Sequence, residues 1–324
     1  MVLFDEARSL DYAVPMSLVP GDIAGSNAWS KDKMMRDVAV VLLSGAIVAF
    51  VAARCECVQA PSLQQLPDVC IEKLDSTADL TQTDPNGGLP NGGKSHCGPT
   101  AVSNSLLWLA DNGFGNLASS LPDRRKAQFE IARVLGSKDY MNTNVKTGTG
   151  AGGVLEGLAR YIEDKGYEYH HLKFQGWRNH PSRFGLGVAV PELDWLKNGI
   201  RGNSGVWLNV GWYKYDSSND EYARIGGHWV TLVGYGVDEN GRCDPAILII
   251  HDPAPRCGKD PHEYVQMKPI SSGRLTGKSS GLPRQAKGYY IMGGGMHVRK
   301  GAAFGILDGA VVLKMRENTT TKQR

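Results

Sequence analysis

The segment Lys94-Ser95-His96-Cys97-Gly98-Pro99-Thr100-Ala101 puts a cysteine at the predicted start of a helix. Val102, Leu106 and Leu109 follow at helical spacing, and proline is favoured in the first helical turn because its missing N–H is not needed there. The unpaired N–H groups and the dipole at this end of a helix stabilise a negative charge. The sequence therefore predicts that Cys97 is a reactive thiolate and not an inert buried side chain.

A predicted strand downstream carries a candidate base. Gly226-Gly227-His228-Trp229-Val230 opens a stretch rich in β-branched and aromatic residues, which predicts a strand over residues 229–237. The two glycines allow another backbone or a substrate to approach closely. His228 would take the proton of the Cys97 thiol and later protonate the leaving group.

A third segment supplies a candidate orienting acid. Residues 246–250 are an apolar run that predicts a buried strand, and this strand ends at His251-Asp252-Pro253. Asp252 would accept a hydrogen bond from the second ring nitrogen of His228, which fixes the tautomer and stabilises the imidazolium. His251 is a competing base, but strand alternation turns it away from the face that carries Asp252. We therefore predict that Cys97, His228 and Asp252 are nucleophile, base and orienter.

These three segments together resemble the papain-like cysteine peptidases, most closely the branch that removes double-glycine leaders from bacteriocin precursors. The likeness lies in Cys97-Gly98-Pro99-Thr100-Ala101, Gly227-His228-Trp229-Val230 and Asp252-Pro253, and it covers residues 91–255. The resemblance implies an α+β papain-like fold with N-terminal helices packed on an antiparallel sheet. It also implies a Cys-His-Asp triad.

The oxyanion hole needs a second donor beside the backbone N–H of Cys97. Asn91 is the nearest side-chain amide in sequence, and Asn86 is a poorer candidate. In the papain-like family a glutamine six residues before the cysteine supports the oxyanion, and Asn91 has that offset here. The resemblance therefore assigns this role to Asn91, although its shorter side chain reaches less far.

The expected activity is that of a cysteine peptidase or amidase that cleaves a peptide or protein substrate through an acyl-enzyme. An acyltransferase of the transglutaminase type and a catalytically inactive peptide-binding module remain as alternatives. No cofactor is expected, and no metal, because the six cysteines show neither a CxxC pair nor a metal-ligand spacing. The glycine pattern of residues 148–153 resembles a dinucleotide-binding loop, but the polar residues 140–147 before it are not the required strand.

Composition and charge limit the other function classes. The balance of 36 basic and 33 acidic residues, a net charge of +3, does not indicate a nucleic-acid partner. Residues 38–53 are mostly apolar and follow Lys31, Lys33 and Arg36, which predicts a signal peptide or a membrane anchor. The catalytic domain is then expected outside the cytoplasm, secreted or tethered to a membrane. In an oxidising compartment Cys243 and Cys257 form a candidate disulfide.

The expected organisation has four parts. Residues 1–60 form an N-terminal extension, residues 61–90 a linker rich in Pro, Gly and Asn, residues 91–315 the catalytic domain and residues 316–324 a polar tail. Helices are predicted over residues 97–110, 122–135, 154–165 and 191–198. Strands are predicted over residues 205–213, 229–237 and 246–250, with further strands between residues 289 and 315. This order, helices before strands, fits an α+β layout.

Overall fold

The computed structural model describes residues 68–254, 262–277 and 283–317. The chain divides after Pro61, and all described residues belong to the second unit, Ser62–Arg324. The predicted signal peptide or anchor at residues 38–53 lies outside the described residues. So does Cys257, whereas its expected partner Cys243 is a free and exposed thiol. Within the described ranges, no helix combines the length and the hydrophobicity needed to cross a bilayer.

The helices lie close to their predicted positions. They are α1 (Cys97–Asp111), α2 (Arg124–Leu135), α3 (Ala151–Asp164) and α4 (Leu193–Gly199). Part of the glycine pattern lies inside α3, where a Cβ on Gly153 or Gly157 would come within 2.8 Å of the backbone of Met141. These glycines therefore allow α3 to pack directly against the preceding segment.

The strands form a single sheet that is far more extensive than predicted. Strands β2, β3, β4, β5, β8 and β9 each pair antiparallel with the next, and β9 returns to β2. Six strands thus close into an antiparallel barrel. Strand β1 adds to β9 outside the ring, β6 pairs parallel with β3, and β7 pairs with β6. The bounds are β1 Tyr169–Gly176, β2 Ser204–Asp216, β3 Glu221–Val237, β4 Cys243–His251, β5 Glu263–Pro269, β6 Arg274–Gly277, β7 Arg284–Gln285, β8 Tyr290–Gly294 and β9 Phe304–Met315.

The expected α+β papain-like fold, with helices packed on an antiparallel sheet, is wrong because the sheet closes on itself. Closure depends on the pairing of β8 with β9, which is made by only Ile291↔Ile306 and Met292↔Gly305. Apolar alternation predicts which face of a strand is buried, but it does not identify the partner strand. A barrel and an open sheet therefore give the same local pattern.

Two apolar clusters occupy the two faces of the barrel wall. One contains side chains from all six barrel strands and fills the interior, among them Val210, Val230 and Leu248. The other joins Trp207 and Trp229, on the outer face, to apolar side chains of α1, α2 and α3. Helix α1 therefore packs against the outside of β2 and β3, whereas α2 lies against α1 and α3 against β1.

The described part of the expected linker is irregular in backbone but packed onto the domain. Cys70 exchanges two backbone hydrogen bonds with Tyr235 of β3, at 3.0 and 2.9 Å. Leu80 and Leu89 are buried against Phe129 of α2. Two short 3₁₀ turns, Pro85–Gly87 and Pro90–Gly93, then lead the chain to α1. The approach to Cys97 is thus a structural part of the domain.

Candidate active site

Cys97 is the first residue of α1, and it is half-buried. The carbonyl oxygen of Ala101, one turn later, accepts hydrogen bonds from Thr231 Oγ1 at 2.7 Å and Trp207 Nε1 at 3.1 Å. Both donors belong to barrel strands. The start of α1, which carries the thiol, is therefore attached to β2 and β3.

The register of β3 and β4 brings the candidate base and acid to one face. Thr231 of β3 pairs with His251 of β4, so Asp252 has the same orientation as Val230 and His228. His228 and Asp252 are both buried, with exposed fractions of 7% and 1%. His228 Nε2 lies 2.5 Å from Asp252 Oδ1.

The second nitrogen of His228 faces the nucleophile. The Cys97 side chain interacts with the ring and raises its pKa, and because Nε2 is engaged by Asp252, Nδ1 is the nitrogen left for the thiol. The structure thus brings together the three side chains predicted from sequence.

Opposing effects determine the charge of His228 and Asp252. Burial alone would lower the pKa of His228, but the negative charge of Asp252 and the hydrogen bonds with Asp252 and Cys97 raise that pKa to about 10. Burial alone would raise the pKa of Asp252, but the charge of His228, its hydrogen bond and the N–H of Ala254 lower it. At neutral pH the pair is therefore an imidazolium and a carboxylate.

Two further backbone groups support the Asp252 carboxylate. The N–H of Ala254 donates to Oδ1 at 2.8 Å, and the N–H of His297 donates to Oδ2 at 3.3 Å. His297 belongs to the loop between β8 and β9. The acid is therefore fixed from its own chain segment and from the barrel's closing strands.

His251 lies on the other face of β4, as its position in the strand predicts. Its Nδ1 is 3.2 Å from the carbonyl oxygen of Ala78, and its Nε2 is 3.0 Å from His262 Nδ1. His262 in turn contacts Asp75 at 3.3 Å. His251 thus contacts Ala78 and His262, whereas His228 contacts Asp252 and Cys97, so His228 is the histidine of the candidate site.

Aromatic and small residues surround the two reacting side chains. The ring of Trp212 stacks on His228 with centroids 5.6 Å apart and an interplanar angle of 24°.

Beside Cys97, a Cβ on Gly98 would lie 3.2 Å from Thr149 Cβ and 3.5 Å from Trp229 Cδ1. Trp229 Nε1 donates to the carbonyl oxygen of Thr149 at 2.9 Å. The loop before α3 therefore packs directly on the helix start.

Asn91, the expected oxyanion donor, is exposed and directed toward the loop before α3. Its Nδ2 donates to the carbonyl oxygen of Val145 at 3.4 Å, and the same oxygen accepts from Ser95 Oγ at 2.6 Å. Asn91 has a φ of 53°, and it forms part of a turn. Its proposed role at the oxyanion stays a prediction.

Gln82 was not predicted, and it is a buried side-chain amide of this region. Its Nε2 donates at 2.8 Å to the carbonyl oxygen of Gly93, which also accepts from the N–H of His96, the neighbour of Cys97. Its backbone N–H donates at 2.8 Å to the carbonyl oxygen of Pro253, the neighbour of Asp252. Gln82 therefore joins the nucleophile's segment to that of the acid, and no sequence spacing indicates this.

No protein-family model matches the sequence, and a search of the curated proteins finds no relative. The likeness to papain-like peptidases thus rests on the three short segments around Cys97, His228 and Asp252. In the part of the chain that the structure describes, no group of three or more His, Cys, Asp or Glu side chains could hold a metal ion.

Proposed function

We propose that the protein is a cysteine hydrolase, a peptidase or amidase, that cleaves a peptide-like bond through an acyl-enzyme on Cys97. The observation that carries this proposal is the buried ring of His228, which contacts the Asp252 carboxylate at 2.5 Å on one side and the Cys97 thiol on the other. A thiol, a charged imidazole and an orienting carboxylate that contact one another in this order are the components of nucleophilic acyl transfer.

In the first half of the reaction, the Cys97 sulfur adds to the carbonyl carbon of the scissile bond. His228 then donates its Nδ1 proton to the nitrogen of the leaving amine as the carbon–nitrogen bond breaks. The products of this half are a thioester on Cys97, a free amine and a neutral imidazole. Asp252 keeps the ring oriented throughout.

In the second half, His228 takes a proton from a water molecule, whose oxygen adds to the thioester carbon. The carbon–sulfur bond breaks, and a carboxylic acid leaves while Cys97 and His228 return to the thiolate–imidazolium pair. We propose that Gln82 is the second oxyanion donor in both halves, since its Nε2 has a second hydrogen beyond the bond to Gly93, and Gly93 also accepts from the neighbour of Cys97.

Alkylation by iodoacetamide at pH 7, with each labelled cysteine identified by mass spectrometry, tests the nucleophile. Cys97 is half-buried, whereas Cys243 is exposed and Cys70 is buried. We expect Cys97 to react about tenfold faster than Cys243, since an ordinary cysteine is only a few per cent thiolate at pH 7. The His228→Ala variant should remove this advantage.

Turnover is tested with a peptide library whose products are identified by mass spectrometry. The wild type should release fragments, and the Cys97→Ala variant should release none. An added amine that becomes joined to the acyl fragment would indicate transfer instead of hydrolysis. Alkylation of Cys97 no faster than that of Cys243, together with no turnover, would contradict the proposal.

A further inference from the structure

Arg299 lies beside the candidate base, on the same face of β3. Trp212 pairs with Gly226, and Val210 pairs with His228, so Gly226 and His228 have the same orientation. Gly226 has no side chain, and the guanidinium of Arg299 occupies the space above it. Its Nη1 is 2.7 Å from the position that a Cβ on Gly226 would take.

The loop that carries Arg299 contacts the site. The same point above Gly226 is 3.4 Å from Cδ1 of Trp212, the ring that stacks on His228. Arg299 belongs to the loop whose residue His297 donates its N–H to Asp252 Oδ2. The ring of His297 also meets Trp212 edge-on, with centroids 6.2 Å apart. The loop is thus attached to the triad two residues before Arg299.

The charge of Arg299 is not neutralised within the described residues. Its side chain is exposed, and none of the described carboxylates lies within 4.0 Å of it. The nearest acid of the site, Asp252, is already paired with His228. A guanidinium presents two parallel N–H groups that match a carboxylate, so an anionic group of the substrate fits this position.

The side of the scissile bond follows from the mechanism. His228 gives its proton to the leaving amine, so the leaving half of the substrate lies next to this ring. The guanidinium of Arg299 lies over Gly226, which is two residues from His228 on the same face of β3. We propose that Arg299 binds a carboxylate in the leaving half of the substrate, and this inference rests on the proposed function. The carboxylate belongs either to an Asp or Glu side chain or to a free C-terminus.

A library of synthetic hexapeptides, with cleavage sites read by mass spectrometry, tests the preference. In the two residues after the cut, the wild type should favour Glu over Gln and Asp over Asn by about tenfold, the effect of one charge-assisted hydrogen bond. The ratio should fall to about one in Arg299→Ala and recover in part in Arg299→Lys. Lys300→Ala, which removes the adjacent cation of the same loop, should keep the wild-type ratio.

The same library with free and with amidated C-termini separates the two sources of the carboxylate. A preference that persists in amidated peptides indicates an acidic side chain. A preference for cuts close to a free C-terminus, absent from amidated peptides, indicates the terminal carboxylate. Equal cleavage of acidic and amide peptides by the wild type would overturn the proposal.

A second measurement does not require turnover. N-acetylglutamate amide and N-acetylglutamine amide differ by one carboxylate, and each can slow the alkylation of Cys97 by iodoacetamide. We expect protection at about tenfold lower concentration with the glutamate compound, and no such difference in Arg299→Ala. If the library shows no Cys97-dependent cleavage, the proposed hydrolase fails. If both compounds protect equally, the role of Arg299 fails.

Discussion

At the scale of single residues, His228 depends on Asp252 for its charge. Its pKa of about 10 in the folded protein exceeds the ordinary value of 6.5. A raised pKa adds stability at pH values below 6.5, and this contribution is lost as the pH rises through about 10. Asp252 supplies the largest effect that raises this pKa, so its removal must change how stability varies with pH.

Asp252→Asn should therefore lower the pKa of His228. We expect the wild type to exceed the variant in free energy of unfolding at pH 7, and the difference to shrink between pH 7 and pH 10. Urea unfolding at a series of pH values measures this. Asp238→Asn, in an exposed turn, is a matched control whose difference from the wild type should stay constant over the same range. A constant difference for Asp252→Asn would contradict the assigned charge of the pair.

Gln82 and Asn91 are two side-chain amides whose roles at the oxyanion can be separated. Gln82→Leu should lower kcat/KM by about 10²–10³-fold, the usual loss for one oxyanion donor. Asn91→Ala should lower it far less, because that amide is exposed and bonded to Val145. Alkylation of Cys97 by iodoacetamide needs no oxyanion hole, and it should remain fast in both variants if the site is intact. A larger loss of kcat/KM in Asn91→Ala than in Gln82→Leu would instead assign the oxyanion role to Asn91.

At the scale of secondary-structure elements, a buried amide fixes α1 against its neighbours. Asn104 Oδ1 accepts from Gln128 Nε2 of α2 at 2.5 Å and from the N–H of Leu80 at 3.3 Å. Asn104 Nδ2 donates to Thr231 Oγ1 of β3 at 3.1 Å. All four residues are buried. Since α1 carries Cys97 and β3 carries His228, this network sets the position of one relative to the other.

Asn104→Ala should destabilise the protein by about 2–4 kcal/mol, because it leaves several buried polar groups without partners. Urea unfolding measures the loss, and alkylation of Cys97 should slow in the same variant. Asn112→Ala, an exposed amide just after the same helix, should cost under about 1 kcal/mol. Equal losses for the two variants would show that the network does not support the helix.

The same elements show how far the sequence could predict the structure. The four helices and strands β2 to β4 have clear local signals in helical spacing, β-branched content and apolar runs, and the positions of Cys97, His228 and Asp252 follow from them. Strand β5 has charged or polar side chains at both ends, and β8 contains two glycines, so neither gives a clear pattern. Gln82 is joined to the site by contacts with Gly93 and Pro253, which no local pattern predicts. Local pattern therefore predicted the three side chains that meet at the candidate site, but not the barrel.

At the scale of the whole molecule, the pairing of β2 with β9 in the closed barrel contains a bulge, and this bulge holds a buried charge. Asn209 pairs with Gly309 and Val210 with Leu307, which leaves Asp308 of β9 as the extra residue. Its fully buried carboxylate accepts from Tyr213 Oη at 2.6 Å and from Arg224 Nε at 2.7 Å. It also accepts from Trp177 Nε1 at 3.1 Å. One side chain thus joins β2, β3, β9 and the segment after β1.

Asp308→Asn should destabilise the protein by about 3–5 kcal/mol, since the substitution removes the buried negative charge that accepts from Arg224, Tyr213 and Trp177. The reaction centre should also respond, because the guanidinium of Arg224 lies directly beside Gly227, the residue before His228. Urea unfolding and the rate of Cys97 alkylation measure the two effects.

Glu168→Gln breaks an exposed ion pair with Arg316 and should cost at most about 1 kcal/mol. If Asp308→Asn costs no more than this control, the buried carboxylate is not what stabilises the closed barrel.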